Sequence, residues 1–209
     1  LSVKASQLSG VAPAPVTAAY ATEAHIDLIV LATHGGRGLK SIFLGSVAEE
    51  INRLAPGNVL TVAVEKTRPY REVLVPLDFS RNSLKSLLCA AELARENGAR
   101  LHLLHVISEQ LTSTLRVTGR KSLLDYEPDL DEKTRAHLEK MARKADCGEV
   151  VVHVEHGRIY REIENTVRDH DIDLVIMASS DRDDPYLGST THMVLHYAGS
   201  SVLVLRHLH

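Results

Sequence analysis

From residue 72 onward the chain alternates short apolar runs with amphipathic stretches, and that alternation leaves few folds open to it. Residues 72–77 (Glu-Val-Leu-Val-Pro-Leu) read as a strand, and Asp78-Phe79-Ser80 opens a helix. That helix carries Leu84, Leu87, Leu88 and Ala91 at i, i+3, i+4 and i+7 as its inward stripe, and Gly98 ends it. Further strands are expected over 100–107, 149–154, 173–178 and 201–205. Helices are expected over 131–145 (Leu138 and Met141 inward), through Ile159, Ile163 and Val167, and over 189–197. Residues 108–128 form a polar, poorly patterned connection. Strands this apolar need cover on both faces, so the pattern predicts an α/β unit with a parallel sheet between helices.

The chain also repeats itself. Gly10 aligns with Gly157, Val16 with Ile163, 27–30 (Asp-Leu-Ile-Val) with 173–176, Leu44-Gly45-Ser46 with Leu187-Gly188-Ser189, and Val59-Leu60 with Val202-Leu203. Residues 1–66 therefore match only the C-terminal half of the unit, 67–71 (with Pro69) read as a linker, and 72–209 hold one complete unit. The expectation is one and a half repeats.

In the first repeat an apolar run, 27–31, leads into 32–46 (Ala-Thr-His-Gly-Gly-Arg-Gly-Leu-Lys-Ser-Ile-Phe-Leu-Gly-Ser), and a helix is expected from Gly45-Ser46. Glycines let the backbone approach an anion closely, and a helix start offers unpaired N–H groups. The loop is neither a Walker A loop nor a dinucleotide fingerprint: no Gly-Lys-Ser/Thr closes it, and Gly36-x-Gly38 lacks its third glycine. It has a small residue, two others, Gly35, nine more, then Gly45-Ser46. This resembles the nucleotide signature of the universal stress protein family, Gly-x-x-Gly-x9-Gly-Ser/Thr, with Ala32 where the family has glycine. The flanks (Leu-Ile-Val-Leu-Ala-Thr-His-Gly and Leu-Gly-Ser-Val-Ala-Glu-Glu) and the whole of 69–206 are similar to the same family.

The resemblance implies an adenine-nucleotide alpha hydrolase-like fold: an open parallel five-stranded sheet in the order 3-2-1-4-5 with helices on both faces. It implies a nucleotide-responsive stress-response module, with ATP or a related adenine nucleotide, and Mg2+ accompanying it, at the carboxyl ends of the strands. Carried over residue by residue, Ala32, Thr33, His34, Gly35, Gly36, Gly38, Gly45 and Ser46 would hold phosphates. Asp78, with Pro76 and Leu77 beside it, would take a ribose hydroxyl. The Val106 backbone would read the adenine edge. Asp78 reads equally as a helix N-terminal charge, and Val106 as core. The second repeat departs from the pattern. Only Gly188-Ser189 survives there, and Asp181, Asp183 and Asp184 stand where a polyphosphate would lie. The expectation is that this repeat does not hold ATP in the family's usual way. Those aspartates read as a solvated loop, with a divalent cation as the alternative. The family also implies that the last strands of the two repeats pair as an internal pseudo-dimer. A homodimer is compatible with this, and the protein partner is unknown. In the implied order residues 1–9 would be strand 3, cut off from strand 4, whose edge would be open and apolar. A tandem of two full domains is the expected natural form.

Other chemistry is thinly represented. A formal net charge of −3 gives no reason to expect nucleic acid or an anionic membrane as partner. No apolar run is long enough to span a bilayer, and no leader is visible, which with the family implies the cytoplasm. Cys89 and Cys147 suit a reducing compartment, and Cys89 falls on a helical apolar stripe. No nucleophile elbow, Cys–His pair or paired carboxylates is visible, so no catalytic residue is assigned. A weak ATPase or phosphotransfer enzyme stays as one alternative, and a structural or signalling partner that binds no nucleotide as another. Among twelve histidines, His192 and His196 are spaced to share a ligand, but no further Cys or His completes a zinc pattern. His102 and His105 should face opposite sides of their strand. No metal ligand is assigned.

Overall fold

The computed structural model describes residues 5–33, 44–63, 69–108, 129–179 and 188–206. In chain order these form α1 (Pro13–Glu23), β1 (Leu28–Ala32), α2 (Ser46–Leu54), β2 (Asn58–Val62), β3 (Glu72–Pro76), α3 (Arg81–Asn97), β4 (Arg100–Ser108), α4 (Leu130–Lys144), β5 (Val150–Gly157), α5 (Ile159–Asp169), β6 (Leu174–Ala178), α6 (Ser189–Tyr197) and β7 (Ser201–Leu205). The strands make one sheet in the order β1-β2-β7-β6-β3-β4-β5. The expected five-stranded sheet is thus seven-stranded. Residues 72–205 contribute β5-β4-β3-β6-β7, all parallel, and the first repeat adds β1 and β2.

The two repeats meet at β2 and β7, which pair antiparallel: Val59 opposite Val204, Leu60 opposite Leu203, Thr61 opposite Val202. Leu60 and Leu203 are equivalent positions, so the register is its own mirror, as at a two-fold interface between subunits. Side-chain bonds repeat the symmetry. The Ala63 N–H donates to Ser201 Oγ (3.1 Å), and the Arg206 N–H donates to Asn58 Oδ1 (2.9 Å). Buried Asn52 adds bonds from Nδ2 to the Ala48 carbonyl and Thr61 Oγ1 (both 3.0 Å), and its own carbonyl accepts from the Arg206 guanidinium.

Among the described residues, helices cover both faces of the sheet only over 72–209. On one face, α3 and α4 pack Leu87, Ala90, Ala91, Ala94, Leu138 and Ala142 against Val73, Val75, Leu101 and Leu103. On the other, α5 and α6 place Ile163, Val167, Val194 and Leu195 over Leu74, Leu104, Val175 and Val202. α1 and α2 extend that second layer over Ile29 and Val59. On the opposite face of β1, Leu28 and Val30 are exposed. Residues 5–9 form no strand, contrary to expectation; a strand needs a ladder partner, and no described strand flanks β1 on its outer side.

The α3 stripe also differs from its expected form. Leu87 and Ala91 are buried, but Leu84 and Leu88 face out, and Ser83, Ser86, Ala90 and Ala94 complete the inner face. Small side chains let the helix sit close on the sheet. Ser80 caps α3, its hydroxyl accepting from the Ser83 N–H (3.1 Å), which contributes about 1 kcal/mol. Gly98, at φ 61°, ends the helix in the left-handed conformation. Buried Asp173 fixes where β3 begins: its Oδ2 accepts from the N–H groups of Arg71 (2.9 Å) and Glu72 (3.0 Å).

Candidate functional site

The crevice outside the carboxyl ends of β3 and β6 is where the chain reverses direction across the sheet. It moves from β3 outward to β4 and β5, then returns to β6 on the other side. Such switch points are where open α/β sheets bind ligands. A cavity of about 420 Å³ lies there, lined by the ends of β3, β4 and β6 and the first turns of α3, α5 and α6.

Six residues expected at a site line this cavity: Pro76, Leu77, Asp78, Val106, Gly188 and Ser189. Asp78 accepts a hydrogen bond from the Ser80 N–H (2.9 Å) in a tight turn. Burial works to raise its pKa, but hydrogen bonds from Ser80, then Ser83, outweigh it and hold the carboxyl below its ordinary value. Asp78 is therefore ionised at neutral pH. Phe79, between Asp78 and Ser80, has φ 63°, a strained conformation for a bulky side chain. Its ring stacks on His105 at 4.3 Å, and His105 Nδ1–H donates to the Leu77 carbonyl (2.7 Å). The turn that presents Asp78 is thus locked from behind.

Val106 lies where β4 outruns β3. The Leu77 N–H donates to the Leu104 carbonyl (2.8 Å), so Leu104 turns its backbone groups toward β3. Two residues on, Val106 turns its N–H and C=O to the same side, past the end of β3 at Pro76 and into the cavity. Across from it α6 begins. Gly188, its N-cap, supplies no side-chain cap, and the first turn holds no acidic residue. Ser189, Thr190 and Thr191 therefore offer their N–H groups, with a positive helix end, to the cavity.

Sequence reasoning missed Ser80, Asn82, Ser83, His105, Thr190 and Thr191, which also line it. All but His105 sit in the same helical turns as residues that were identified. His105, on the α4 side of β4, and His102, on the α5 side, do face opposite ways, as expected.

The first-repeat residues lie elsewhere. Because β1 runs antiparallel to β6 and β7, its carboxyl end points to the opposite end of the sheet. Ala32 is exposed there. Thr33 donates from Oγ1 to the Val62 carbonyl (3.3 Å), closing the β1–β2 ladder, and Gly45-Ser46 start α2. None of these lines the cavity. His34, Gly35, Gly36 and Gly38 lie outside the described residues, as do Asp181, Asp183 and Asp184.

Two groups of possible metal ligands occur among the described residues. Glu49 joins His192 and His196 across the seam, Oε1 to His192 Nε2 at 2.9 Å and Oε2 to His196 Nε2 at 3.5 Å. His102, His153 and His170 form the other. Cys89 and Cys147 are half-buried free thiols whose pKa burial raises, with Glu92 and Asp146 adding to it, so neither is primed as a nucleophile. No helix of the described residues is long and apolar enough to cross a membrane.

The model of the universal stress protein family matches residues 4–63 and 69–206. A universal stress protein of Bacillus subtilis is 29% identical over 149 residues, covering 66% of this chain and 99% of that protein. Among solved structures, one from Pseudomonas aeruginosa assigned to universal stress proteins superposes with a TM-score of 0.70 at 18% identity, over 94% of this chain and 69% of that one. A universal stress protein from Archaeoglobus fulgidus gives 0.66 at 24% identity, over 92% and 66%. At these identities the two structures speak for the fold alone.

Proposed function

The chain belongs to the universal stress protein family, and on that premise we propose that it is a nucleotide-responsive binding module with its adenine-nucleotide site in the cavity between β3 and β6. One observation carries the reading: the cavity brings together a backbone edge at Val106, an ionised carboxylate at Asp78 and the uncapped start of α6. The backbone edge suits adenine, the carboxylate suits a ribose hydroxyl, and the helix start suits the first phosphate. A volume of about 420 Å³ falls within the range of small-ligand sites. In this reading residues 1–66 act as half of a first domain, joined by 67–71 to a complete second domain at 72–209. Their β2 covers the β7 edge as a second subunit would, and the module works in the cytoplasm.

Calorimetric titration with AMP and with Mg-ATP tests the proposal. Binding should occur, and Asp78→Ala should weaken it by about tenfold, the worth of one charge-assisted hydrogen bond. Absence of binding at millimolar nucleotide, or binding indifferent to Asp78→Ala, would overturn it.

A further inference from the structure

Near the amino-terminal ends of β4 and β5, away from the nucleotide cavity, three imidazoles meet. His102 on β4 is almost fully buried, His153 on β5 is half-buried, and His170, directly after α5, is exposed. Ring centroids lie 5.3 Å apart for His102–His153, 5.2 Å for His102–His170 and 4.6 Å for His153–His170. One nitrogen from each lies within 4.8 Å of the other two.

Glu72 fixes the polarity of the group. Its Oε2 lies 2.8 Å from His102 Nε2, and an ionised carboxylate only accepts, so that nitrogen carries the hydrogen. His102 Nδ1 is then left as a lone pair, 3.0 Å from His153 Nε2. Arg100 Nη1, 3.7 Å from Glu72 Oε1, holds the carboxylate from its other side. A carboxylate behind an imidazole whose far nitrogen faces a ligand is the usual outer support of a histidine-bound metal. The 3.0 Å separation is close to the roughly 3.3 Å between neighbouring ligands around a tetrahedral ion with bonds of about 2.0 Å.

We infer that His102 Nδ1, His153 Nε2 and His170 form a binding site for a borderline divalent transition-metal ion of the zinc class, with Glu72 as the positioning residue behind His102. Three imidazole ligands favour such an ion over Mg2+ or Ca2+, which prefer oxygen ligands. The exposure of His170 leaves the fourth coordination position to water. Burial foremost, and then the neighbouring His102, His170 and Arg135, push His153 down to about 4, so it offers a lone pair at neutral pH. On binding, the hydrogen on His153 Nε2 moves to Nδ1, and the N–H···N contact to His102 gives way to two metal bonds. The ion would tie the end of α5 to two strands. α5 begins at Ile159 on the nucleotide cavity and ends beside this cluster.

The test is titration with Co2+ and Zn2+ in a Glu49→Gln background, which silences the carboxylate–histidine group between α2 and α6. The expected result is one ion per chain with micromolar or tighter affinity, visible absorption from four-coordinate Co2+, and a raised Tm. His170→Ala, at an exposed position that leaves the fold intact, should abolish the absorption and lower affinity by at least about tenfold. Glu72→Gln should weaken binding by about tenfold while one-to-one stoichiometry persists. No binding at about 100 µM metal, or binding that survives His170→Ala, overturns the inference.

Discussion

The same pair of residues starts a helix at each end of the sheet, and the start of α6 lines the cavity between β3 and β6, whereas the start of α2 lies at the opposite end. Gly45-Ser46 open α2 and Gly188-Ser189 open α6, both after a strand and both without a side-chain cap. They differ in what surrounds them. α6 begins beside the carboxyl ends of β3 and β4, which supply Asp78 and the Val106 backbone. Among the described strands, α2 begins beside β1 and β2 alone on its own side, and Glu49 already places a negative charge in its first turn. α6 has no acidic residue there; its equivalent position is His192, which pairs with Glu49 across the seam. A glycine–serine helix start supplies donors. Whether they form a site depends on which strands end next to it.

The sharpest way to break this comparison is to cut the seam that sets the two repeats antiparallel. Leu203 and Leu60 face one another there, Leu203 buried and Leu60 partly so. Leu203→Asp puts a charge into the core and should cost about 3 kcal/mol or more in urea unfolding. Leu60→Asp should cost roughly half as much, because its position is only partly buried. Equal costs would mean that the two sides of the seam are equally packed.

Next in size is one substitution made at both helix starts. Ser189→Glu supplies α6 with a charge where the first phosphate would sit, and should reduce AMP affinity by about 10–100-fold while stabilising the helix. Ser46→Glu gives α2 the same helical benefit and should leave AMP binding unchanged. A loss of affinity in Ser46→Glu instead would move the site to the first repeat.

The parts of this fold with a strong period were legible in the sequence. The strands and helices from residue 72 onward follow from apolar alternation, whereas the β2–β7 pairing was implied by the family resemblance. The inner face of α3 was misread because size drew the eye to Leu84 and Leu88, whereas close helix–sheet packing selected Ser83, Ser86 and Ala94. The cavity was partly legible, since Asp78 and Gly188-Ser189 belong to local motifs. That these share one site, while Gly45-Ser46 stand at the far end, follows only from strand direction at the seam. The histidine cluster was not legible. Its members come from two strands and a helix end, and no spacing along the chain announces a contact made across the sheet.

A smaller effect concerns Asp181, Asp183 and Asp184, which follow β6 in sequence. Their charge should oppose a polyphosphate more than a monophosphate, so the wild-type chain should favour AMP over ATP. Replacing all three by Asn should raise ATP affinity several-fold, with less change for AMP, and salt should shrink the difference. An unchanged ratio of the two affinities would place the loop's charge away from the ligand.

The smallest expected effect separates the two ends of the sheet by pH. At the histidine end, His153 is pushed from 6.5 down to about 4, chiefly by burial, with His102, His170 and Arg135 facing it and Glu72 behind His102. The folded chain resists a proton there that the unfolded chain accepts. This contribution to stability is complete above about pH 6.5 and is lost progressively as pH falls toward 4. At the cavity end, Asp78 lies below its ordinary 3.8, so the stability it adds persists through that window and is lost only at lower pH. The fall in Tm between pH 7 and pH 4.5, measured without metal, should therefore be shallower in His153→Gln and unchanged in Asp78→Asn. A His153→Gln variant that loses Tm as steeply as wild type would assign the acid sensitivity to other groups.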